Sequence, residues 1–298
     1  MIKRRKIFYA FSTILIVASI ISLAIFRLPL GIDFKGGSIM ELTFESDEGG
    51  RIPSGDEIRA VLSGFSNGTV TVQSSGENSF ILRFDEITEE THIAMLERLE
   101  GLEGASAREE RFDSIGPTIG AETTRKSLQA MGLVIVMVAG YVAWAFRRVK
   151  YPLSSTRWGV VVLVALFHDV LITAGAFSIF AHFVSAEVGV PFIAAMLTIL
   201  GYSVTDTIVV FDRIRENLLR FGSKISFGEL AEKSVRETIV RSLNVSLTTI
   251  FVLVSILFLG GATLRDFMLV LIIGIAVGTY SSIALASPML VSWANRKS

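Results

Sequence analysis

The chain has 298 residues, of which 51% are hydrophobic and 19% charged, and its basic and acidic residues are equal in number. It is too apolar for an ordinary soluble domain and too charged for a protein that lies wholly within a membrane. A membrane bundle that carries one aqueous domain fits both values. Cysteine is absent, which excludes disulfides and thiolate metal sites.

The charges are divided unevenly along the chain. Residues 29–126 hold 9 Lys and Arg against 19 Asp and Glu, a net charge of −10, so the rest of the chain carries +10. A uniformly basic or acidic surface would indicate a partner such as nucleic acid. This division instead indicates two parts on opposite sides of a membrane, and no nucleic-acid partner.

Six apolar runs reach the length of ~20 residues that a ~30 Å hydrocarbon core requires. They are Ile7–Phe26, Ser127–Phe146, Trp158–Phe180, Val190–Phe211, Ser242–Ala262 and Phe267–Val291. The first run follows basic residues but is longer than the apolar part of a typical signal peptide, and no small-residue cleavage site follows it. We interpret it as an uncleaved signal-anchor.

Basic residues in the short connections predict the orientation of these spans. They cluster before the first span, between the second and third, between the fourth and fifth, and after the sixth. These residues are Lys3, Arg4, Arg5, Lys6, Arg147, Arg148, Lys150, Arg157, Arg213, Arg215, Arg220, Lys224, Lys233, Arg236, Arg241, Arg296 and Lys297. Both termini are therefore predicted to be cytoplasmic, with residues 29–126 on the outside.

Residues 29–126 show the pattern of a small α+β domain. Strands are predicted from alternation of apolar and polar residues, and helices from capping residues and apolar spacing. The elements are a strand at Ser38–Glu45, a helix at Ser54–Gly64, strands at Gly68–Ser74 and Ser79–Phe84, a helix at Thr88–Leu102 with Ile93, Leu96 and Leu99 on one face, and a strand at Ala107–Phe112. The order β-α-β-β-α-β predicts a ferredoxin-like fold.

Asp206 lies inside the fourth span, where an ionised carboxylate costs roughly 3 kcal/mol on insertion scales. Helical spacing places it on a stripe of one face, and a second polar stripe lies at the start of the fifth span. The first stripe is Thr198, Tyr202, Asp206, Val209 and Arg213, and the second is Arg241, Asn244 and Thr248. We expect the stripes to face each other and line a proton route, with Asp206 as the titrating group and Arg241 as its counter-charge.

The third span carries His168 and Asp169, with Thr173 one turn after the aspartate. Adjacent residues on a helix point to different faces, so one of the pair is expected to be structural, and both a functional and a structural role stay open. The alternative for both aspartates is that they only join helices by hydrogen bonds. His92 and His182 are predicted to be surface residues, and three scattered histidines favour no metal site.

Three further segments have plain interpretations. The small-residue face Gly274, Gly278, Ser281, Ser282 and Leu285 predicts a close helix contact in the sixth span. The glycine-rich segment 31–37 precedes a strand rather than a helix, which argues against phosphate binding. Residues 212–217, with the capping box that begins at Ser226, predict an interfacial segment that is either solvated or docks a partner.

Several of these segments together resemble the SecF family of bacterial protein-export membrane proteins, related to the resistance–nodulation–division transporters. They are GIDFKGGS after the first span, ALFHDV in the third, GYSVTDTIVVFDRIREN across the fourth, RSLNVSLTT from Arg241 to Thr249, and GTYSSIALASP near the end. The resemblance spans nearly the full chain in the family's order. Thr205 stands where many relatives have Asn.

The resemblance implies six spans of the transporter type, an outside ferredoxin-like domain and a location in the plasma (inner) membrane. It implies a pseudo-symmetric partner, SecD, supplied by another polypeptide, and work beside the SecYEG channel after SecA has pushed an unfolded secretory polypeptide into it. Proton-motive force would then help to draw that polypeptide out. The family's intramembrane aspartate falls on Asp206, its arginine on Arg241, and the ALFHDV aspartate on Asp169.

Other functions fit the sequence less well. An exporter of small molecules would need larger outside domains than residues 29–126 provide. A scaffold that only stabilises a complex would tolerate Asp206→Asn. An intramembrane hydrolase would need a paired nucleophile and base in one span. No enzyme chemistry, organic cofactor or metal is indicated.

Overall fold

The computed structural model describes residues 2–46, 50–65, 70–147, 153–184, 186–260 and 262–295. Arg148, Lys150, Arg296 and Lys297 of the predicted orientation signal lie outside these residues, as do the first two positions of the strand predicted at Gly68–Ser74. The chain divides into two compact units. One comprises Leu30–Leu128 with Glu187–Gly189, and the other comprises Met1–Pro29, Gln129–Ala186 and Val190–Ser298.

The helices and strands follow one another in an order close to that predicted. They are α1 Arg5–Phe26, α2 Ile32–Lys35, β1 Gly37–Ser46, α3 Gly55–Leu62, β2 Thr71–Ser74, β3 Ser79–Phe84, α4 Glu89–Leu99, β4 Ala105–Ile115, α5 Pro117–Ala145, α6 Ser155–Val184, α7 Val190–Phe221, α8 Phe227–Leu259, α9 Ala262–Ser281 and α10 Ser287–Asn295.

The smaller unit is an antiparallel four-stranded sheet in the order β2-β3-β1-β4, with α3 and α4 between its strands in sequence. This confirms the predicted ferredoxin-like arrangement. Met40, Leu42 and Phe44 alternate along β1 and are fully buried, because successive side chains of a strand point to opposite faces. Ser54 caps α3 and forms a reciprocal capping box with Glu57.

Helix α4 is rotated relative to the prediction from its sequence. Its buried face carries His92, Met95 and Leu99, whereas Ile93 is 48% exposed. The prediction of His92 as a surface residue is therefore wrong. Its Nε2 lies 2.5 Å from Oε2 of Glu109 on β4, and its ring stacks on Phe112 with centroids 3.9 Å apart. The strand thus supplies both an acceptor and an aromatic surface that favour burial of the imidazole.

Two glycines at the start of β1 are required by the backbone. Gly36 and Gly37 have φ of 81° and 124°, values that side-chain-bearing residues rarely adopt. A Cβ on Gly36 would lie 2.9 Å from the backbone of Pro117, and one on Gly37 would lie 2.9 Å from the carbonyl oxygen of Phe84. The glycine-rich segment is thus a close crossing of backbones.

The part of the chain that the structure describes contains six helices long and apolar enough to cross a membrane, in agreement with the prediction of six spans. They extend further than the apolar runs because polar turns continue the helices. Residues 212–217 belong to α7, and α8 runs unbroken from Phe227 into its apolar part. Arg213 joins the two extensions, with its Nε 2.6 Å from a carboxylate oxygen of Glu237.

Helices α6 and α9 form the centre of the larger unit, and α1, α5 and α8 lie at its edge. The predicted small-residue face brings α9 close to α7, since a Cβ on Gly274 would lie 2.1 Å from the side chain of Ile199. Between α9 and α10 the helix forms a π-turn over Ser282–Ala286. Pro288 follows it, and a widened turn avoids the clash that a proline makes with the preceding turn.

Candidate functional site

Asp206 lies at the junction of α7, α8 and the π-turn. Its two carboxylate oxygens accept hydrogen bonds from hydroxyls on different elements, Ser242 of α8 at 2.5 Å and Ser282 of the π-turn. The residue is half-buried and lines a cavity of about 380 Å³ between α7 and α8. Four members of the predicted stripe line this cavity, namely Thr198, Tyr202, Asp206 and Val209.

Of the second predicted stripe, Arg241 lines the same cavity, whereas Asn244 and Thr248 do not. Those two side chains are exposed, and the Thr248 hydroxyl donates back to carbonyls of its own helix. Ser242 and Val245 line the cavity in their place. Among the described residues no ion pair links Arg241 to Asp206, so both partners of Asp206 are neutral hydroxyls. The roles of Arg241, Asn244 and Thr248 stay predictions.

Asp169 forms a second polar centre, which is closed. It is fully buried, and one carboxylate oxygen accepts hydrogen bonds from Ser203 of α7 at 2.5 Å and Ser281 of α9 at 2.8 Å. The other oxygen lies 2.9 Å from Nδ1 of His168, which is itself 1% exposed. The two side chains were expected to point to different faces of α6, yet both are buried and this contact joins them. The Thr173 hydroxyl is buried but is no hydrogen-bond partner of Asp169 among the described residues.

The two centres meet on α9. Ser281 donates to Asp169 and the next residue, Ser282, donates to Asp206. Sequence reasoning assigned both serines to helix packing and missed Ser203, Ser242 and Ser281 as partners. For Ser281 and Ser282 the signal is the run of adjacent hydroxyls in GTYSS, because one packing face needs only one small residue per turn.

A further hydroxyl chain lies beside Asp206. The Tyr202 hydroxyl donates to Ser246 of α8 at 3.1 Å, and Ser246 lies 2.5 Å from the hydroxyl of Thr279 on α9. Neutral hydroxyls can donate or accept, so they satisfy a carboxylate in either protonation state. Residues 2–46, 50–65, 70–147, 153–184, 186–260 and 262–295 contain no group of three or more His, Cys, Asp or Glu placed to hold a metal. The arrangement is suited to proton transfer.

Two known families match most of the chain. The family described as "Protein export membrane protein SecD/SecF, C-terminal" matches residues 95–296, and the "SecD/SecF GG Motif" matches residues 21–48. Relatives include a protein translocase subunit SecF from Thermobaculum terrenum, 39% identical over 99% of this chain and 94% of the relative. Another from Anaerolinea thermophila is 37% identical over 97% of this chain and 92% of the relative.

Solved structures give the same result. The crystal structure of SecDF from Thermus thermophilus, described as a translocon-associated membrane protein, matches with a TM-score of 0.83 and 31% identity over 99% of this chain. A SecDF structure described as a super-membrane-facing form matches with a TM-score of 0.66 and 32% identity over 97% of it. The chain spans 38% of the length of each SecDF chain. With its fold, its six spans and these matches, this multi-pass membrane protein belongs to the SecF family of Sec protein translocase subunits.

Proposed function

We propose that this chain works with a SecD subunit beside the SecYEG channel and uses proton-motive force to complete the export of secretory polypeptides. Asp206 takes up and releases the proton, Arg241 is the counter-charge in one state of the cycle, and Asp169 belongs to the same pathway. The chain lies in the plasma membrane with both termini in the cytoplasm and residues 29–126 outside. The unfolded polypeptide is engaged on that outer side, downstream of SecA.

The observation that carries this proposal is the setting of Asp206. A carboxylate at membrane depth is costly, and one that only joins helices would be expected to be enclosed by them. Asp206 instead has two neutral hydroxyl donors and a cavity of about 380 Å³ at its side. Arg241 lines that cavity without an ion pair to Asp206 among the described residues, so a modest movement of α7 against α8 would change the field at the carboxylate.

An exposed polar face of α8 supports the proposal of a partner subunit. Arg241, Asn244 and Thr248 are exposed there, beside the cavity. Polar side chains in a membrane span face other helices or a water-filled cavity rather than lipid. The matched SecDF chains contain more than this chain does, and a SecD subunit is the occupant that the family relationship favours.

The test is export of a secretory precursor into membrane vesicles with and without proton-motive force. Asp206→Asn keeps the size of the side chain but cannot lose and regain a proton in the same range. We expect the variant to assemble normally and to lose the stimulation by proton-motive force. Asp212→Asn is the matched control, since Asp212 lies on the same helix, is exposed and pairs with Arg215.

Full stimulation in an assembled Asp206→Asn complex would contradict proton coupling and favour a scaffold role. Loss of stimulation in both variants would indicate a general defect of α7 and would also count against a specific role of Asp206.

A further inference from the structure

A second cavity lies on the other side of the bundle from Asp206. It is a groove of about 520 Å³ between α1, α6 and α10, and hydroxyls of Tyr9, Ser12, Thr13 and Ser292 line it together with His168. Tyr9 lies in the second turn of α1 and Ser292 in the last turn of α10. The groove therefore runs from His168 towards the end of the bundle that is predicted to be cytoplasmic.

His168 connects this groove to the carboxylate centre. Its Nδ1 lies 2.9 Å from Asp169, whereas its Nε2 is buried without a hydrogen-bond partner among the described residues. Buried polar atoms nearly always have a partner, and an exception calls for a reason. An imidazole held at one nitrogen and unpaired at the other, beside a groove with hydroxyls, has the arrangement of a proton carrier.

We propose that His168 carries protons between Asp169 and the groove, which is thereby the cytoplasmic branch of the pathway. In the step, a proton on the Asp169 carboxyl passes to Nδ1 of His168 while the proton on Nε2 passes to a water molecule in the groove. One proton enters the ring and one leaves, so the imidazole stays neutral as its other tautomer. Rotation of the ring towards the groove then exposes it to water, to which Nδ1 loses a proton and from which Nε2 gains one, and this exchange restores the first tautomer without a change in charge. The inference rests on the proposed function, because it needs protons to reach Asp169.

Described groups from several packed elements face His168, and the role of proton carrier is assigned by comparing them. On its own helix the neighbour is Asp169, α9 contributes Tyr280 with a ring centroid 6.2 Å away, and α1 contributes Tyr9. From α10 the described lining residues are uncharged, although the guanidinium of Arg157 lies 5.6 Å from the Trp293 ring. Among these groups the imidazole is the one with two ring nitrogens, of which one can accept a proton while the other donates one.

The experiment measures stimulation of precursor export by proton-motive force in vesicles whose only copy of this chain is a variant. His168→Gln retains a polar side chain but cannot carry a proton, and we expect the stimulation to fall about tenfold or more. His182→Gln is the matched control, because His182 is exposed on the same helix, and it should match the wild type. His168→Ala with added imidazole should regain stimulation with a pH profile that follows imidazole, whereas pyrrole, a ring of similar size without a basic nitrogen, should have no effect.

Asp206→Asn, measured alongside, separates the two proposals. If Asp206→Asn abolishes stimulation and His168→Gln retains it fully, the inference is overturned and the proposed function stands. If the His168 variants assemble, lose stimulation and do not recover with imidazole, His168 is structural and the inference is also overturned. If Asp206→Asn retains full stimulation, the proposed function fails, and the inference fails as well because it rests on that function.

Discussion

Carboxylates of the smaller unit are held differently from the two aspartates inside the apolar part of the bundle. In the smaller unit they pair with cationic groups, as Glu57 does with Arg51 at 2.5 Å and Glu187 with Arg83 at 3.2 Å. In the membrane bundle Asp206 is held by serine hydroxyls, and Asp169 by two serines and an imidazole. A cationic partner stabilises the ionised form alone, whereas a neutral hydroxyl serves both protonation states.

The two bundle carboxylates differ from each other as well. Asp169 is fully enclosed, whereas Asp206 borders a cavity next to an exposed polar face of α8. An enclosed carboxylate fixes the helices around it and exchanges protons only through the groups that enclose it, whereas one at a cavity can exchange a proton directly and respond to a partner. The difference suggests that stability depends mainly on Asp169 and coupling mainly on Asp206.

The largest expected effect is on stability, from Asp169→Leu. The substitution removes the acceptor of Ser203, Ser281 and His168 in a fully buried site, and buried donors without an acceptor cost ~1–3 kcal/mol each. Ser281 can still donate to the carbonyl of Gly278, which limits the loss. We expect the free energy of unfolding to fall by about 3 kcal/mol, measured by thermal unfolding in detergent.

Asp206→Leu is the comparison variant. Asp206 is half-buried, and Ser282 retains its bond to the carbonyl of Thr279, so we expect a loss of about 1 kcal/mol. Equal destabilisation by the two variants would contradict the distinction between an enclosed and an accessible carboxylate.

The second expected effect is on coupling, from Arg241→Gln. The side chain is exposed and has no ion pair with Asp206 among the described residues, so folding should be unaffected. Loss of a charge that acts in one state of the cycle should lower stimulation of export by proton-motive force about tenfold, or ~1.4 kcal/mol. Arg236→Gln is the control, since Arg236 lies on the same helix and pairs with Glu232. A destabilised but fully coupled Arg241 variant would reverse the assignment.

The spans and the sheet could be predicted from the sequence because both depend on hydropathy. Apolar runs of spanning length are stable as membrane spans. The alternation along β1 and β3 follows from the pleat of the sheet, which turns successive side chains to opposite faces. The helix extensions at 212–221 and 227–241 could not be predicted from hydropathy, because polar helices in water carry no such signal.

The site was predicted only in part, for a geometric reason. Periodicity shows which residues share a face of a helix but not how that face is rotated towards its neighbour. Periodicity therefore placed Asp206 and Arg241 on facing stripes, and both line one cavity, whereas α8 presents Ser242 rather than Asn244 to the carboxylate. Burial of His92 could not be predicted from periodicity either, since it depends on contacts with Glu109 and Phe112 of strand β4.

The third expected effect is smaller and concerns a single hydroxyl. Ser282→Ala removes one donor to Asp206, and we expect a loss of about 1 kcal/mol in the free energy of unfolding. Ser255→Ala is the control because its hydroxyl is exposed and donates to Phe251 of its own helix. If the two variants unfold at the same temperature, the bond to Ser282 does not contribute to the position of Asp206.

The smallest expected effect tests the ion-paired carboxylates of the smaller unit. The hydrogen bond from Arg51, assisted by those from Ser54, lowers the pKa of Glu57 to about 2 from an ordinary value of 4.5. A folded-state pKa below the unfolded one contributes stability above the unfolded value that is lost as pH falls through the folded value. Local stability of α3 should therefore decrease as pH falls from about 4.5 towards 2, by a small amount because the pair is exposed to solvent.

Hydrogen exchange of residues 55–62 in the full-length protein measures this effect. Glu57→Gln should exchange faster than the wild type at pH 6 and converge with it near pH 2, because the wild-type carboxylate is then protonated as well. Asp56→Asn is the control, since Asp56 pairs with Arg59 on the exposed side of the same helix and lies outside the capping box. Constant protection of α3 across this range in the wild type would show that Arg51 does not stabilise the charge on Glu57. The contrast between the ion-paired carboxylates of the smaller unit and the two aspartates held by hydroxyls in the bundle would then lose its clearest example.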